Sequence, residues 1–327
     1  MDIRSVVVSI LAMLAVSAGA GTLYVDDDWF GKGGTGVETA PYGTIQDAVN
    51  AAKSGDTILV FPGAYGQGYG VDEVDKVACT NRVLVTGNKS LTIRSTGGKA
   101  ETTIKGAFDK DDPIQAGSGV GPAAIRAICV QQSSDYKVIV EGFTITESTA
   151  FAQTTNARGY GGAAYAKAQD TLYLVDCEIE GCTGSRGLTY RATLVRCSVH
   201  DNTCIDGKGS VNFNGKVFNS VAVRNVGDPA FDAATVVNTT LAGCSDKALS
   251  ESCLAVNCLM TGYGSYFANY TADSTISNCV VGSVYWSSSR PTTISPASAN
   301  NVTNAVITQC AAPFEGDFRP VAWSDAI

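Results

Sequence analysis

The chain has 327 residues, a formal net charge of −8, only 17% charged side chains and 35 glycines. An acidic chain without a basic stripe is a poor match for nucleic acid or an anionic lipid surface, so neither is expected as a partner. Sparse charge with abundant Gly, Ser, Thr, Asn and Val predicts all-β architecture with many short turns.

At the N-terminus, residues 6–16 read VVVSILAMLAV and are followed by the small residues Ser17, Ala18, Gly19 and Ala20. This is the pattern of a signal peptide (1–20) with an A-x-A site ending at Ala20, which predicts cleavage there and a secreted or cell-surface location. The run is shorter than the roughly 20 apolar residues of a membrane span, and no transmembrane segment is expected.

The next segment, TIQDAVNAAKSGDTILVFPGAY (44–65), carries Thr44 and Asp47 at capping-box spacing. Ile45, Ala48, Val49 and Ala52 then recur at helical spacing and Gly55 closes the helix. TILVF follows as a buried strand ended by Pro62-Gly63. A short helix covering the first coil would hide a sheet edge that could otherwise recruit other strands.

Strands are expected at 90–95, 102–106, 124–130 and 138–146. The segment from Glu147 to about Lys167, containing NARGYGG, is expected to leave the body as a loop.

From residue 174 the sequence repeats. LVDCEIEGC, LVRCSVHDN, VFNSVAVRN, VVNTTLAGC, AVNCLMTGY and ISNCVVGSV align on Cys177, Cys197, Ser220, Thr239, Cys258 and Cys279, at spacings of 20, 23, 19, 19 and 21. Period-2 alternation predicts that Val175, Cys177 and Ile179 share a buried side, as do Val195, Cys197 and Val199, while Asp176, Glu178 and Glu180 face outward. One short strand every ~20 residues, without a helical pattern between, returns through turns and further short strands to stack at about 4.8 Å. That is a coil of a parallel β-helix, whose coils touch only their neighbours. The aligned Cys, Ser and Thr then form an interior column in which Cys behaves as a small hydrophobe. A second column, Cys182, Asn202, Asn225, Cys244, Tyr263 and Val284, suits a turn. The chain has 11 cysteines, an odd number with no CxxC pair. They are therefore expected mostly unbridged, and no zinc site is expected from them.

The segment YVDDDWFGKGGTGVETAPYGTIQDAVNAAKSGDTILVFPGAY (24–65), together with the NC-x-I/V coils, resembles bacterial secreted proteins of the pectin-lyase-like superfamily. The resemblance implies a right-handed parallel β-helix over 21–327, with an N-terminal cap about 21–65 and regular coils about 170–285. The closing DFRPVAWSDAI resembles the extended end of such proteins but stops abruptly, which suggests a truncated C-terminus. The superfamily holds polysaccharide lyases, glycoside hydrolases and surface proteins. Its hydrolases use clustered Asp with a Gly-His-Gly segment, whereas this chain has one histidine, His200, in SVHDN. Its pectate lyases use calcium and an Arg or Lys base, and no stretch here matches their pattern.

The constellation built from the residues themselves is Asp176, Glu178 and Glu180 with Arg196, Ser198 and His200 beside them on the next coil. Carboxylates about 6.6 Å apart could hold calcium or act as an acid–base pair, with Arg196 gripping an acidic sugar. The competing reading is ordinary sheet stabilisation by Asp176–Arg196 and Glu180–His200 ion pairs. Asp26, Asp27 and Asp28, and Asp109, Asp111 and Asp112, read as hydrated turns. Aromatic residues Tyr160, Tyr263, Tyr266, Tyr285 and Trp286 could stack on sugars, or the late ones could pack the end of the solenoid. The expected function is an exported, monomeric surface protein binding glycans or cell-surface partners. The alternative is a lyase, or less readily a hydrolase, acting on an acidic polysaccharide.

Overall fold

The computed structural model describes residues 19–74, 77–112, 118–151, 159–205, 209–244, 247–250, 252–261, 266–268, 274–281, 310–312 and 317–320. The apolar leader, Arg158, Tyr263, Tyr285 and Trp286 lie outside the described residues. So do the side chains of Tyr266 and Phe267.

Three long sheets run along the chain. Sheet one has ten strands from Thr22–Val25 to Thr275–Ser277, sheet two nine from Gly63–Tyr65 to Val280–Val281, and sheet three nine from Gly70–Val74 to Tyr266–Ala268. Pairing within them is parallel except where Gly70–Val74 joins Val77–Val85. A coil therefore visits each sheet once: Leu172–Val175, then Glu178–Glu180, then Thr189–Tyr190, before Thr193–Val195 lands beside its starting strand. Parallel connections of this kind are right-handed. The fold is a right-handed parallel β-helix.

The interior is made of stacked columns. In sheet one Ile58, Ile93, Val140, Leu174, Leu194, Val217, Val236, Ala255 and Ile276 lie in register and are buried. In sheet two Ile104, Ile145, Ile179, Val199, Ala222, Leu241 and Met260 do the same.

The expected alternation through Asp176 is corrected. Residues 174–180 are two strands meeting at a bend, and Asp176 has φ 52°, the left-handed region. The same corner recurs at Arg196, Asn219, Asn238, Asn257 and Asn278. One left-handed residue resets the parity of the strand. Leu174 rather than Val175 therefore points inward, and Val175 packs outside with Tyr173, Val195, Phe218 and Val237.

The cysteine column is present as expected: Cys177, Cys197, Ser220, Thr239, Cys258 and Cys279 are all at most 3% exposed. No described cysteine is in a disulfide. Asn202 and Asn225 are buried in the second column.

The capping helix α1 spans Ile45–Ala51. Thr44 Oγ1 accepts from the Asp47 N–H at 3.0 Å and donates to Asp47 Oδ2 at 2.7 Å. The helix ends at Ala52, before Gly55, and Lys89 donates to the carbonyls of Val49 and Ala52 at that end. Gln46 reaches from α1 to the strand Val77–Val85, accepting from Leu84 N at 2.7 Å and donating to Leu84 O at 3.1 Å. The helix thus satisfies backbone that an uncovered edge would leave open. Among the described residues no helix is long and apolar enough to cross a membrane.

Candidate functional site

Two outer faces carry the chemistry-bearing side chains. On sheet two, Glu178 and Glu180 project from one strand and Ser198 and His200 from the next, in the register Glu178↔Ser198 and Glu180↔His200. Ser198 is short, so Glu178 reaches past it diagonally, and its Oε1 lies 2.8 Å from His200 Nε2. Glu180, directly opposite, stays 3.9 Å away. The expected Glu180–His200 pair is present at 3.9 Å, but Glu178 is the nearer partner. The cause is Asp201, which holds Nδ1 of the same ring at 2.9 Å and turns it toward Glu178.

Asp201 is itself gripped by Arg224 through two bonds of 2.8 and 2.6 Å. This bidentate contact outweighs partial burial and, with His200, holds the Asp201 carboxyl down at about 2. Lys99 Nζ stands 3.7 Å from Glu178 Oε2.

Asp176 and Arg196 do not share that strand face. They occupy the corner between sheets one and two, where Arg196 donates to both Asp176 oxygens at 2.7 and 2.6 Å. That bond is the first reason the guanidinium is held above its ordinary range. The structure thus brings Glu178, Glu180 and His200 together and sets Asp176 with Arg196 apart as a closed pair. Asp201 and Arg224 were missed, although the pairing rule that links Asp176 to Arg196 links them too if carried one corner further along SVHDN and AVRN.

The second face lies on sheet three. Tyr165, Tyr190 and Phe213 follow one another across neighbouring strands. Tyr165 and Tyr190 stack with centroids 5.4 Å apart, and Phe213 meets Tyr190 edge-on at 5.3 Å. Tyr160, half-buried, lies over this row, 4.5 Å from Tyr190 and 5.9 Å from Phe213. Guanidiniums stand over the rings: Arg126 over Tyr165 at 5.1 Å, Arg191 over Tyr190 at 5.0 Å and Arg186 over Tyr160 at 5.8 Å. Such pairs draw on the negative face of the ring.

Arg126 explains how Tyr160 is placed. It is fully buried and donates to the carbonyls of Tyr160 and Gly161, each at 2.8 Å, and to Asn81 Oδ1 at 2.7 Å. Gly161 sits at φ 63°, and a Cβ on Gly162 would collide with Thr183 O. The loop is pinned from below by a guanidinium and pressed onto the coil by glycine. Of the sequence-predicted aromatics, Tyr160 is therefore the one with a described setting, and it belongs to packing as much as to any ligand. Asp26 accepts from Asp28 N as a turn carboxylate does, but the expected hydrated turn at 109–112 is corrected: Asp109 and Asp112 are buried and accept from Ala123 N and Val120 N.

No protein-family model matches the chain, and no curated protein matches it. Solved structures do. A pectate lyase, Pel9A, is 15% identical over 82% of this chain and 63% of its own, with a TM-score of 0.37. A rhamnogalacturonan lyase is 13% identical over 81% and 69%, TM-score 0.40. XylC in complex with xylose is 9% identical over 88% and 70%, TM-score 0.39. At these identities and scores the likeness says nothing about activity, and the fold rests on the stacked parallel sheets. On that ground the chain is a right-handed parallel β-helix protein.

Proposed function

We propose that the protein is an exported glycan-binding protein whose binding surface is the outer face of sheet three around Tyr160, Arg186 and Arg191. One observation carries this reading: a half-buried tyrosine overlies a row of rings with guanidiniums stacked on them, on a chain whose net charge is −8. A sugar ring can stack on the tyrosine while its hydroxyls or carboxylate bond the phenol and the arginines. Export is supported by the apolar run before Ala20; N-terminal sequencing of protein recovered outside the cytoplasm should begin at Gly21.

The sheet-two patch is less suited to catalysis. Both nitrogens of His200 are engaged by carboxylates, and Asp176, Glu178 and Asp201 each face a cation or the imidazole. A base has to face the proton it removes, and each ring nitrogen instead faces a carboxylate oxygen at 2.8 to 2.9 Å.

The test is a panel of acidic and neutral polysaccharides, read by affinity electrophoresis and also for unsaturated and reducing ends. Wild type should be retarded by at least one polymer. Tyr160→Ala should lose the retardation and Asp176→Ala should keep it. Retardation that survives Tyr160→Ala would remove this face, and release of chain ends that is lost in His200→Ala would reinstate the enzyme.

A further inference from the structure

We infer that Glu178, Glu180 and His200 form a binding site for a divalent transition-metal ion of zinc type, independent of the glycan surface proposed above. Glu178 Oε, Glu180 Oε and His200 Nε2 all lie within 4.8 Å of one another. Two of the separations are 2.8 Å (Nε2 to Glu178 Oε1) and 3.9 Å (Nε2 to Glu180 Oε2). Ligands about 2.1 Å from a tetrahedral zinc stand roughly 3.4 Å from one another. The two separations lie on either side of that value, each within about 0.6 Å of it.

The ring is set for this task from behind. Asp201 Oδ2 lies 2.9 Å from Nδ1, and Asp201 is fixed by the two bonds from Arg224. Each ring nitrogen faces a carboxylate oxygen, and with the hydrogen on Nδ1 toward Asp201 the Nε2 lone pair is directed at the space beside Glu178 Oε1 where an ion would sit. A carboxylate on the far nitrogen of a ligating histidine is the arrangement that orients the ring and raises its basicity in metal sites. All three donors stand on strands held in register by the sheet, not on loops. His200 shows only 14% of its side chain to solvent, and Lys99 lies on the other oxygen of Glu178, leaving Oε1 for the ion.

The donor set also selects the ion. Calcium takes six to eight oxygens, and two carboxylates with an imidazole do not supply them. Mixed nitrogen and oxygen donors favour zinc, copper or nickel, and three protein ligands on an outer face leave a coordination position open to solvent.

The experiment uses the whole metal-stripped protein titrated with Co2+ as an optical probe, followed by displacement with Zn2+. One equivalent should bind with weak visible bands and no thiolate charge-transfer band, which separates this site from the buried cysteines. His200→Gln and Glu180→Gln should each abolish it. Asp201→Asn, a positioning change, should weaken binding about 10- to 100-fold while leaving the stoichiometry intact. Melting of the metal-free variants checks folding. Should His200→Gln fail to fold, Glu180→Gln decides alone, because that side chain is 43% exposed and 3.9 Å from the ring. Absence of saturable Co2+ binding, unchanged binding in Glu180→Gln, or displacement by millimolar Ca2+ as readily as by Zn2+ would each overturn the assignment.

Discussion

At the first corner of each coil a left-handed residue is followed by an inward thiol or hydroxyl; at the second it is followed by an inward thiol or amide. The first series is Cys177, Cys197, Ser220, Thr239, Cys258 and Cys279, the second Cys182, Asn202, Asn225 and Cys244. The first series donates to the carbonyl two residues back. Ser220 reaches Phe218 O at 2.8 Å, Thr239 reaches Val237 O at 3.0 Å, and Cys177 and Cys258 do the same at 3.3 and 3.2 Å. It also touches the neighbouring coil: Cys197 Sγ reaches Leu174 O at 3.3 Å and Ser220 Oγ accepts from Cys197 N at 3.0 Å. The asparagines make stronger ties from coil to coil, because one amide both donates and accepts. Asn202 donates to His200 O and to Ile179 O of the preceding coil, each at 2.8 Å, while its Oδ1 accepts from Cys182 N. Asn225 Oδ1 in turn accepts from Asn202 N. A buried bend needs its carbonyl satisfied, and any small donor serves. Where the amide also bonds the preceding coil, removing it takes a partner from more than one backbone group.

The largest effect should come from breaking the first series. Cys197→Arg places an unpaired charge in a fully packed column and should cost about 4 kcal/mol or more, unfolding neighbouring coils. Ser198→Arg, one residue on and outward beside Glu178, should change stability by no more than about 0.5 kcal/mol. Thermal melts of the two variants check this. Equal melting would mean that the strand phase after the corner is wrong.

The second series should be less costly to break but more specific. Asn225→Ala leaves Asn202 N and Val199 O buried without their partner, at a cost of about 1–3 kcal/mol. Asn238 occupies an exposed corner, where it donates to Asn219 Oδ1. Asn238→Gly keeps the left-handed backbone and should lie within about 0.5 kcal/mol of wild type. Urea titrations that rank these two in reverse would show that the buried amides are not what couples the coils.

How far these corners could be read from the chain depended on what repeats. The ~20-residue period was legible because the small inward residue after each corner is always Cys, Ser or Thr. The parity of the strand before it was not read, although Asn219, Asn238, Asn257 and Asn278 recur at the left-handed corner and asparagine favours that region; Arg196 at the same place hides the pattern. Asp176–Arg196 was legible as an ion pair since the two share a repeat position. The Glu178–His200 contact was missed because strand register alone puts Glu180 opposite His200, whereas Asp201, inside the same aligned segment, turns the ring toward Glu178. Sheet three was legible at 124–130, where Ile125–Val130 is one of its strands, but not in the repeats. Its strands Thr189–Tyr190 and Asn212–Phe213 are two residues long, too short to show alternation.

A smaller effect distinguishes the thiols as hydrogen-bond donors from thiols poised to react. Burial pushes the Cys182 thiol up to about 12 and the Cys244 thiol up to about 11. The thiolate is the reactive species, so Cys182 and Cys244 should be inert to an aqueous aromatic disulfide at pH 8 in the folded protein and react once it is denatured. Cys197→Ser should melt within about 1 kcal/mol of wild type, since Ser220 already fills the same column one coil on. Rapid labelling of Cys182 or Cys244 in the native protein would break the assignment of these sulfurs to the interior.

The smallest effect concerns the second corner on its solvent side, where Asp201 bridges Arg224 and His200. The Arg224 bond holds the folded-state carboxyl at about 2, below the ~3.9 of an unfolded aspartate. A depressed carboxyl binds its proton more readily in the unfolded chain. Its contribution to stability is therefore complete above the unfolded value and is lost as pH falls through the folded one. The loss should run from about pH 4 down to about pH 2. The side chain is 49% exposed, so solvent screening keeps the contribution to stability small. Direct titration is the better measurement: carboxyl carbon shifts should place Asp201 near 2 in wild type and return it toward ~3.9 in Arg224→Ala. An unshifted Asp201 in wild type would show that the corner pair is open in solution. In that case the solvent side of the second corner would contribute nothing to the coupling that its buried side provides.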